Sequence, residues 1–374
     1  MNAAVPKLRF DGFDGAWTNE RISNGVTLIS GQHLGPDDYT TYQSGTPYFT
    51  GPSDFTNDER ALTKWTQAKA KIALRGDVLI TVKGSGVGEL MLLELPEVAM
   101  GRQLMAIRSG AFAADLLSHV LQGRRNKFQA LAAGNMIPGL SRDDILTMKV
   151  SLPCAAEQQK IAAFLGAVDS KLSALRRKQA GLERFKAGLM QRLFSQKLRF
   201  TQDDGSAFPD WEETAFEDVV FAISTRGHQI LATAIQENGR HPVLDQGKQF
   251  IAGYSDETER LLKNKGAIIF GDHTTELKCS DFDFIVGADG VKVLRTNENI
   301  RFMYYAILSN LPKQEGYKRH FSILRQSQLP VPHPDEQRKI ADALTALDTK
   351  ITATAAQITK IELFKQGLLQ QMFV

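Results

Sequence analysis

The 374-residue chain has only two cysteines, Cys154 and Cys279, too few and too far apart for a disulfide framework. No apolar run approaches the roughly 20 residues that span a bilayer. The opening MNAAVPKLRFDGF lacks the apolar core of a secretory signal. These absences lead to the expectation of a soluble protein in a reducing, cytoplasmic compartment. There is no acidic or basic tail, and the formal net charge is only +3. That mild basic excess is compatible with a nucleic-acid partner but does not require one. At this length, with 43% hydrophobic residues, two or more domains are expected.

Catalytic signatures are missing as well. The seven histidines show neither HExxH nor a Cys/His zinc spacing. There is no Gly-x-Ser-x-Gly elbow, and no Asn/Asp-Pro-Pro-aromatic site of the kind used to methylate exocyclic amines. The GSGVG of Gly84–Gly88 lacks the Lys-Ser/Thr of a phosphate loop and reads as a glycine-rich turn. Asp272, Glu276 and Lys278 in GDHTTELK faintly resemble a metal-dependent nuclease site, but only three residues separate the two acids. No catalytic residue, metal or cofactor is expected in this chain.

What the sequence does contain is a repeat. KLRF occurs at Lys7–Phe10 and at Lys197–Phe200, each time followed by a tryptophan, Trp17 or Trp211. A glycine-led apolar strand follows 190 residues apart, RGDVLIT around Gly76 and KGAIIFG around Gly266. A helix pattern closes each copy, EQQKIAAFLGAVDSKL from Glu157 and EQRKIADALTALDTKI from Glu336, 179 residues apart. The chain is therefore a tandem duplication. Each helix pattern opens with proline and an acid in the first turn, which suits the free amides of a helix N-terminus.

Apolar residues in these helices recur at alternating steps of four and three, a heptad seam. In the first copy the seam is Ile161, Leu165, Val168, Leu172, Leu175, Leu182 and Leu189. In the second it is Ile340, Leu344, Leu347, Ile351, Ile358, Ile361 and Leu368. An amphipathic helix lying on a globular core is the plainer alternative to a coiled coil. If a pseudo-twofold axis relates the copies, the two helices pair antiparallel. Lys160, Arg176, Arg177, Lys178 and Lys339 would then lie on outer faces open to partner subunits.

The regions before the helices read as mixed α/β modules, with short β-like runs, polar glycine-rich turns and amphipathic helices. At matching places the turns differ. Lys83 and Ser85 follow the first strand; His273, Thr274, Thr275 and Lys278 follow the second. A second variable stretch precedes each long helix, GRRNKFQALAAGNMIPGLS against GYKRHFSILRQS. One frame carrying two sets of polar loops is expected of two equivalent modules that read two different targets.

This arrangement resembles the DNA specificity subunit of Type I restriction–modification enzymes. The resemblance covers essentially the whole chain. It is carried by VPKLRFDGF, SGQHLGPDDY, GDVLITVKGSGVG, LPCAAEQQKIAAFLGAVDSKL, RFKAGLMQRLFSQKLRF, FPDWEE, IIFGDHTTELK, GYKRHFS and LPVPHPDEQRKIADALTALDTKI. Cys154, Ala155 and Ala156 depart from the more usual polar or proline residues at that point.

The resemblance implies an α/β (α+β) fold with two target recognition domains joined by two long conserved helices that form an antiparallel coiled coil. The implied boundaries are recognition domains over 1–152 and 197–331 and spacer helices over 153–196 and 332–374. It implies a non-enzymatic subunit that reads a bipartite double-stranded DNA sequence. Two modification subunits, which use S-adenosylmethionine to methylate adenine, and restriction subunits would be its partners. The candidate DNA-binding residues are Lys83, Ser85, Arg102, Gln103 and Asn135 in the first copy, and His273, Thr274, Thr275, Lys278, Lys318, Arg319 and His320 in the second. A coiled-coil scaffold whose end domains bind proteins is the alternative from another class, and a nuclease built on Asp272 and Glu276 is a third.

A helix of about 39 residues rises about 58 Å at about 1.5 Å per residue. It would span at most about 17 base pairs, which predicts half-sites roughly one to one and a half turns apart. Lengthening or shortening both helices by one heptad is expected to change the preferred gap between half-sites. A gap that stays fixed in such variants contradicts the ruler.

Overall fold

The computed structural model describes residues 6–133, 139–263, 266–288, 290–314, 316 and 318–373. The chain divides into two compact units, Met1–Arg176 with Ala356–Val374, and Arg177–Ala355. Each long helix, Ala155–Phe194 and Pro334–Met372, contributes one part to each unit. Among the described residues no helix is long and apolar enough to cross a membrane.

Both units are built on the same four-stranded sheet. In unit 1 the order is Val26–Ser30, Leu104–Ser109, Val78–Thr81, Leu90–Leu92; in unit 2 it is Val220–Ile223, Val291–Thr296, Ala267–Gly271, Leu277–Ser280. All pairings in these two sheets are antiparallel. The continuous apolar runs VLIT and AIIFG exist because both sheet faces are covered, and the two-residue period of a strand divides their side chains between two cores. In unit 1 Val78, Ile80 and Ile107 face a cluster with Leu116, Val120 and Phe128, while Leu79, Leu104 and Ala106 face another with Phe49 and Met100. In unit 2 Ile268, Phe270 and Leu294 face the cluster containing Phe302, Tyr305 and Ile307, while Ala267, Ile269 and Val293 face Leu244 and Phe284.

A second sheet covers the other face, with strands including Thr46–Phe49 and Glu97–Met100 in unit 1 and His241–Leu244 and Ile285–Gly287 in unit 2. A two-stranded ribbon leads into each long helix. Thr18–Arg21 pairs with Lys149–Leu152, and Glu212–Ala215 pairs with Gln328–Val331.

The residues that open each long helix are tied to the KLRF segment of their own unit. Arg9 Nε and Nη2 each donate to Glu157 at 2.7 Å, and Glu157 is fully buried. Arg199 holds the equally buried Glu336 at 3.2 and 2.8 Å, and the Trp211 indole donates to the same carboxylate at 2.9 Å. The following glutamine turns back to the proline two residues before the helix: Gln158 Nε2 donates to the Pro153 carbonyl and Gln337 Nε2 to the Pro332 carbonyl, both at 2.9 Å. Lys160 lies over the Phe10 ring at 5.0 Å. Its counterpart Lys339 lies over Phe208 at 5.6 Å and donates to the Thr201 carbonyl and Asp203 at 2.7 Å. Besides lying on the helix face expected to be open to partner subunits, each of these lysines fastens its unit's N-terminal segment to the helix.

Every seam residue named from the sequence is buried or half-buried. Within unit 1 Ile161 and Leu165 enter the globular core beside Leu368 and Leu369, while Leu172, Leu175 and Ile358 form a separate helix–helix cluster with Ile361. Asp169 bonds Lys365 at 2.6 Å and Arg176 bonds Glu362 at 2.6 Å, so the two helix segments run antiparallel. Within unit 2 Leu189 and Leu193 meet Ile340 and Leu344, and Lys186 bonds Asp348 at 2.6 Å. The two sequence alternatives thus each describe part of the same helix, core-covering at its domain end and coiled-coil beyond it.

The repeated aspartates receive different partners. In unit 1 His119 Nδ1 stands 3.8 Å from Asp169; in unit 2 Tyr305, at the same place in the helix Ile300–Ser309 as His119 in Ala114–Gly123, donates to Asp348 at 2.7 Å. Burial pushes the His119 imidazole down from 6.5 to about 4, Lys365 pushes the same way, and Asp169 and Asp115 oppose. A histidine depressed in the folded state contributes stability that is complete above its unfolded value and is lost as pH falls through the interval. Unit 1 is therefore expected to lose roughly 3 kcal/mol between about pH 6.5 and 4 through this residue. His119→Tyr, which installs the unit 2 residue, is expected to remove that component in denaturant unfolding measured across the same pH range.

Candidate nucleic-acid interface

In each unit three segments meet at the end of the central apolar strand, held by the same backbone bonds. In unit 1 Val82 N donates to Gln103 O at 2.7 Å and Leu140 N donates to Val82 O at 2.8 Å. In unit 2 Asp272 N donates to Gly290 O at 2.6 Å and His320 N donates to Asp272 O at 2.8 Å. The frame is repeated, and the side chains it carries are not.

Unit 1 presents Lys83, Ser85, Arg102 and Gln103, all exposed. No acid among the described residues pairs with Lys83 or Arg102. Gly84 and Gly88 take φ of +90° and +85°, so the GSGVG stretch is the tight turn read from the sequence. A Cβ on Gly86 would meet Pro52 at 2.4 Å, which brings the loop after Thr46–Phe49 against this turn. That loop is fixed by Asp54, which accepts from Thr50 N (2.7 Å), Thr50 Oγ1 (2.6 Å) and Lys64 Nζ (3.0 Å). Burial pushes the Asp54 carboxyl up, but the Thr50 donors and Lys64 prevail and hold it below its usual range. Asn135 lies outside the described residues.

In unit 2 Lys318 and Arg319 are exposed, and His273, Thr274 and Thr275 are half-buried. His273 Nδ1 is 3.2 Å from the Lys318 carbonyl, joining the two segments. The Thr274 hydroxyl donates to Gln246 O and the Thr275 hydroxyl to Thr274 O, both at 2.7 Å, while Thr275 sits at φ +58°. Two candidates are corrected. Lys278 is 5% exposed, and its Nζ donates to the Asp245 carbonyl at 2.8 Å and pairs with the Asp245 carboxylate at 3.3 Å. His320 is fully buried, with Nδ1 3.0 Å from the Asp272 carbonyl. Both support the loops from beneath instead of facing a ligand. Asp272, the first acid of the nuclease alternative, is also buried and accepts from Phe321 N at 2.8 Å.

Two cationic groups escaped the sequence reading. An open groove of about 570 Å³ in unit 2 is lined by Ser224, Thr225, Arg226, Lys292 and Phe321 among others. Lys292 Nζ lies 5.8 Å from the Phe321 ring centroid, and Arg226 is exposed without an acidic partner among the described residues. Neither residue stands in a stretch that differs visibly from ordinary strand ends. Only the fold brings both into one groove beside Val291 and Phe321.

A family model described as the Type I restriction modification DNA specificity domain matches residues 22–184 and, a second time, 209–363. The chain belongs to this family. It is 35% identical over 131 residues to the specificity subunit of the Type I restriction enzyme EcoR124I/EcoR124II of Escherichia coli, a match covering 32% of each chain. It is 26% identical over 174 residues to the putative type I restriction enzyme MjaX specificity subunit of Methanocaldococcus jannaschii, covering 46% of this chain and 40% of that one. A further specificity subunit of the same organism, MjaVIII, is 21% identical over 80% of this chain and 79% of its own length. The first two matches thus span well under half of those relatives. Among solved structures, the Type I restriction–modification S subunit from M. genitalium superposes with a TM-score of 0.69 at 18% identity, covering 99% of both chains. A chain from a structure concerned with complex assembly of the type I R-M system gives 0.51 at 17% identity, covering 96% of this chain and 98% of that one. Both show that the fold is shared.

Cations that touch phosphate displace counterions, whereas groups that touch only bases do not. Lys83→Ala and Arg102→Ala are each expected to weaken duplex binding across all sequences and to lower the slope of log affinity against log salt by about 0.9. Titrations of the full chain at several salt concentrations measure this. An unchanged slope in both variants places these side chains away from the backbone.

Proposed function

We propose that this chain is the non-catalytic specificity subunit of a Type I restriction–modification complex and reads a split double-stranded DNA target, one half-site per unit. The observation that carries the reading is the repeated backbone clamp, Val82–Gln103–Leu140 and Asp272–Gly290–His320, which displays unrelated polar loops on one frame in a chain of this family. Equivalent geometry with different side chains is what two readers of two different short sequences require. In unit 1 Lys83, Ser85, Arg102 and Gln103 are the proposed contacts; in unit 2 they are His273, Lys318 and Arg319, with Arg226 and Lys292 holding phosphate. Asn135 remains a proposed contact from the sequence alone, and Thr274 and Thr275 shape the turn that presents His273. The recognition domains are proposed to span 1–152 and 197–331.

The proposed partners are two modification subunits, which bring S-adenosylmethionine and the methyl-transfer chemistry, and restriction subunits that bring cleavage. Within this chain the residues bind and orient DNA, and the bond-making steps belong to the partners. Exchanging residues 197–331 for the matching region of another family member is expected to change one half of the methylated motif and leave the other half intact. A motif that stays whole, or changes in both halves, contradicts the assignment of one half-site to each unit.

A further inference from the structure

In each unit one glycine and one glutamine face each other across the gap between two of the loops. In unit 1 they are Gly51 and Gln103: a Cβ built on Gly51 would lie 2.8 Å from Gln103 Oε1. In unit 2 the two residue types have changed places. Gln246 comes two residues after Leu244, which pairs in parallel with Val286, as Gly51 comes two after Phe49, which pairs in parallel with Met100. Gly290 accepts from Asp272 N at 2.6 Å, the place that Gln103 fills by accepting from Val82 N at 2.7 Å. A Cβ on Gly290 would lie 2.8 Å from Gln246 Oε1 and 3.0 Å from Gln246 Nε2, with His273 Cδ2 also near at 2.6 Å. Each unit thus puts one carboxamide into the same gap, from opposite sides.

Backbone geometry does not account for both glycines. Gly290 has φ +70°, where glycine is favoured, but Gly51 has φ −172°, extended backbone open to any residue. What crowds a side chain at Gly51 is the end of Gln103. The gap holds one long amide, and both units supply it although their neighbouring turns share no side chain.

A carboxamide offers an acceptor and a donor side by side, which matches the N6 donor and N7 acceptor of adenine in the major groove. Being uncharged, it adds little to sequence-independent attraction for phosphate. The exposed Gln103 amide has no hydrogen-bond partner among the described residues. Gln246 Oε1 accepts from His273 N at 3.2 Å, which fixes the carbonyl and leaves the amide donors and a lone pair for a ligand. We infer that Gln103 and Gln246 are corresponding base-reading residues, each specifying one adenine in the half-site of its own unit. The inference rests on the DNA-recognition reading above.

The test uses the complete chain with its modification subunits, acting on DNA libraries in which each position of the motif is randomised. Gln103→Ala is expected to reduce the preference for A·T over other pairs by about tenfold or more at one position of one half-site. Gln246→Ala is expected to do the same in the other half-site only. Gln103→Glu, of equal size but without the donor, is expected to reproduce the relaxation and covers any failure of the alanine variant to fold. Gly51→Gln combined with Gln103→Gly moves the unit 1 amide to the side used in unit 2, and is expected to regain preference for the same base. Unchanged base preferences in the Gln103→Ala and Gln103→Glu variants, or relaxation at a position that is not A·T, overturn the inference while leaving DNA recognition standing. A wild-type complex without a split motif overturns both.

Discussion

The structure depends on an arginine that reaches across each unit to a buried glutamate at the start of a long helix. Glu157 and Glu336 are both fully buried, a position that an unpaired carboxylate would occupy only at a cost of several kcal/mol. Arg9 and Arg199 satisfy them bidentately, and the helix N-terminus favours the same charge. The pairing sets where the N-terminal segment of the unit lies on the helix. The lysine three residues on, above Phe10 or Phe208, fastens the same segment a second time. The Glu-Gln-x-Lys-Ile run therefore has a role at each distinctive position: acid to arginine, glutamine to proline carbonyl, lysine to aromatic ring, isoleucine to core.

With the helix start fixed, the sheets of each unit can tolerate change at one end only. The strands Val78–Thr81 and Ala267–Gly271 carry side chains into cores on both faces, so their sequence is mostly apolar. The turns that follow are held by backbone bonds, Val82 to Gln103 and Asp272 to Gly290, and such bonds place few demands on the side chains. Chemistry varies at turns whose shared frame is a pair of backbone bonds, with each unit adding its own side-chain supports. A recognition module benefits from this separation, because specificity can change without loss of the fold.

Much of the frame was legible in the sequence because its signals are local or repeated. The heptad pattern, the apolar strands and the paired KLRF and Glu-Gln-x-Lys-Ile runs each lie within a short window, and duplication marked them. The loops were less legible, since which polar side chain faces outward depends on contacts far along the chain. Lys278 looked available until the fold placed Asp245 beneath it, and His320 until the Asp272 carbonyl closed over it. Gln246 gave no signal at all, because its counterpart by position is a glycine and its counterpart by role is Gln103.

In the proposed complex this chain selects the DNA sequence on which its partners act. The most direct measurement is single-base mapping of methylated adenine in cells that carry the chain with its modification subunit, compared with cells from which only the chain has been removed. A motif of two short words around a fixed gap, present in the first cells and absent in the second, is expected. A motif that survives removal of the chain, or no motif in either, would contradict that role for the chain.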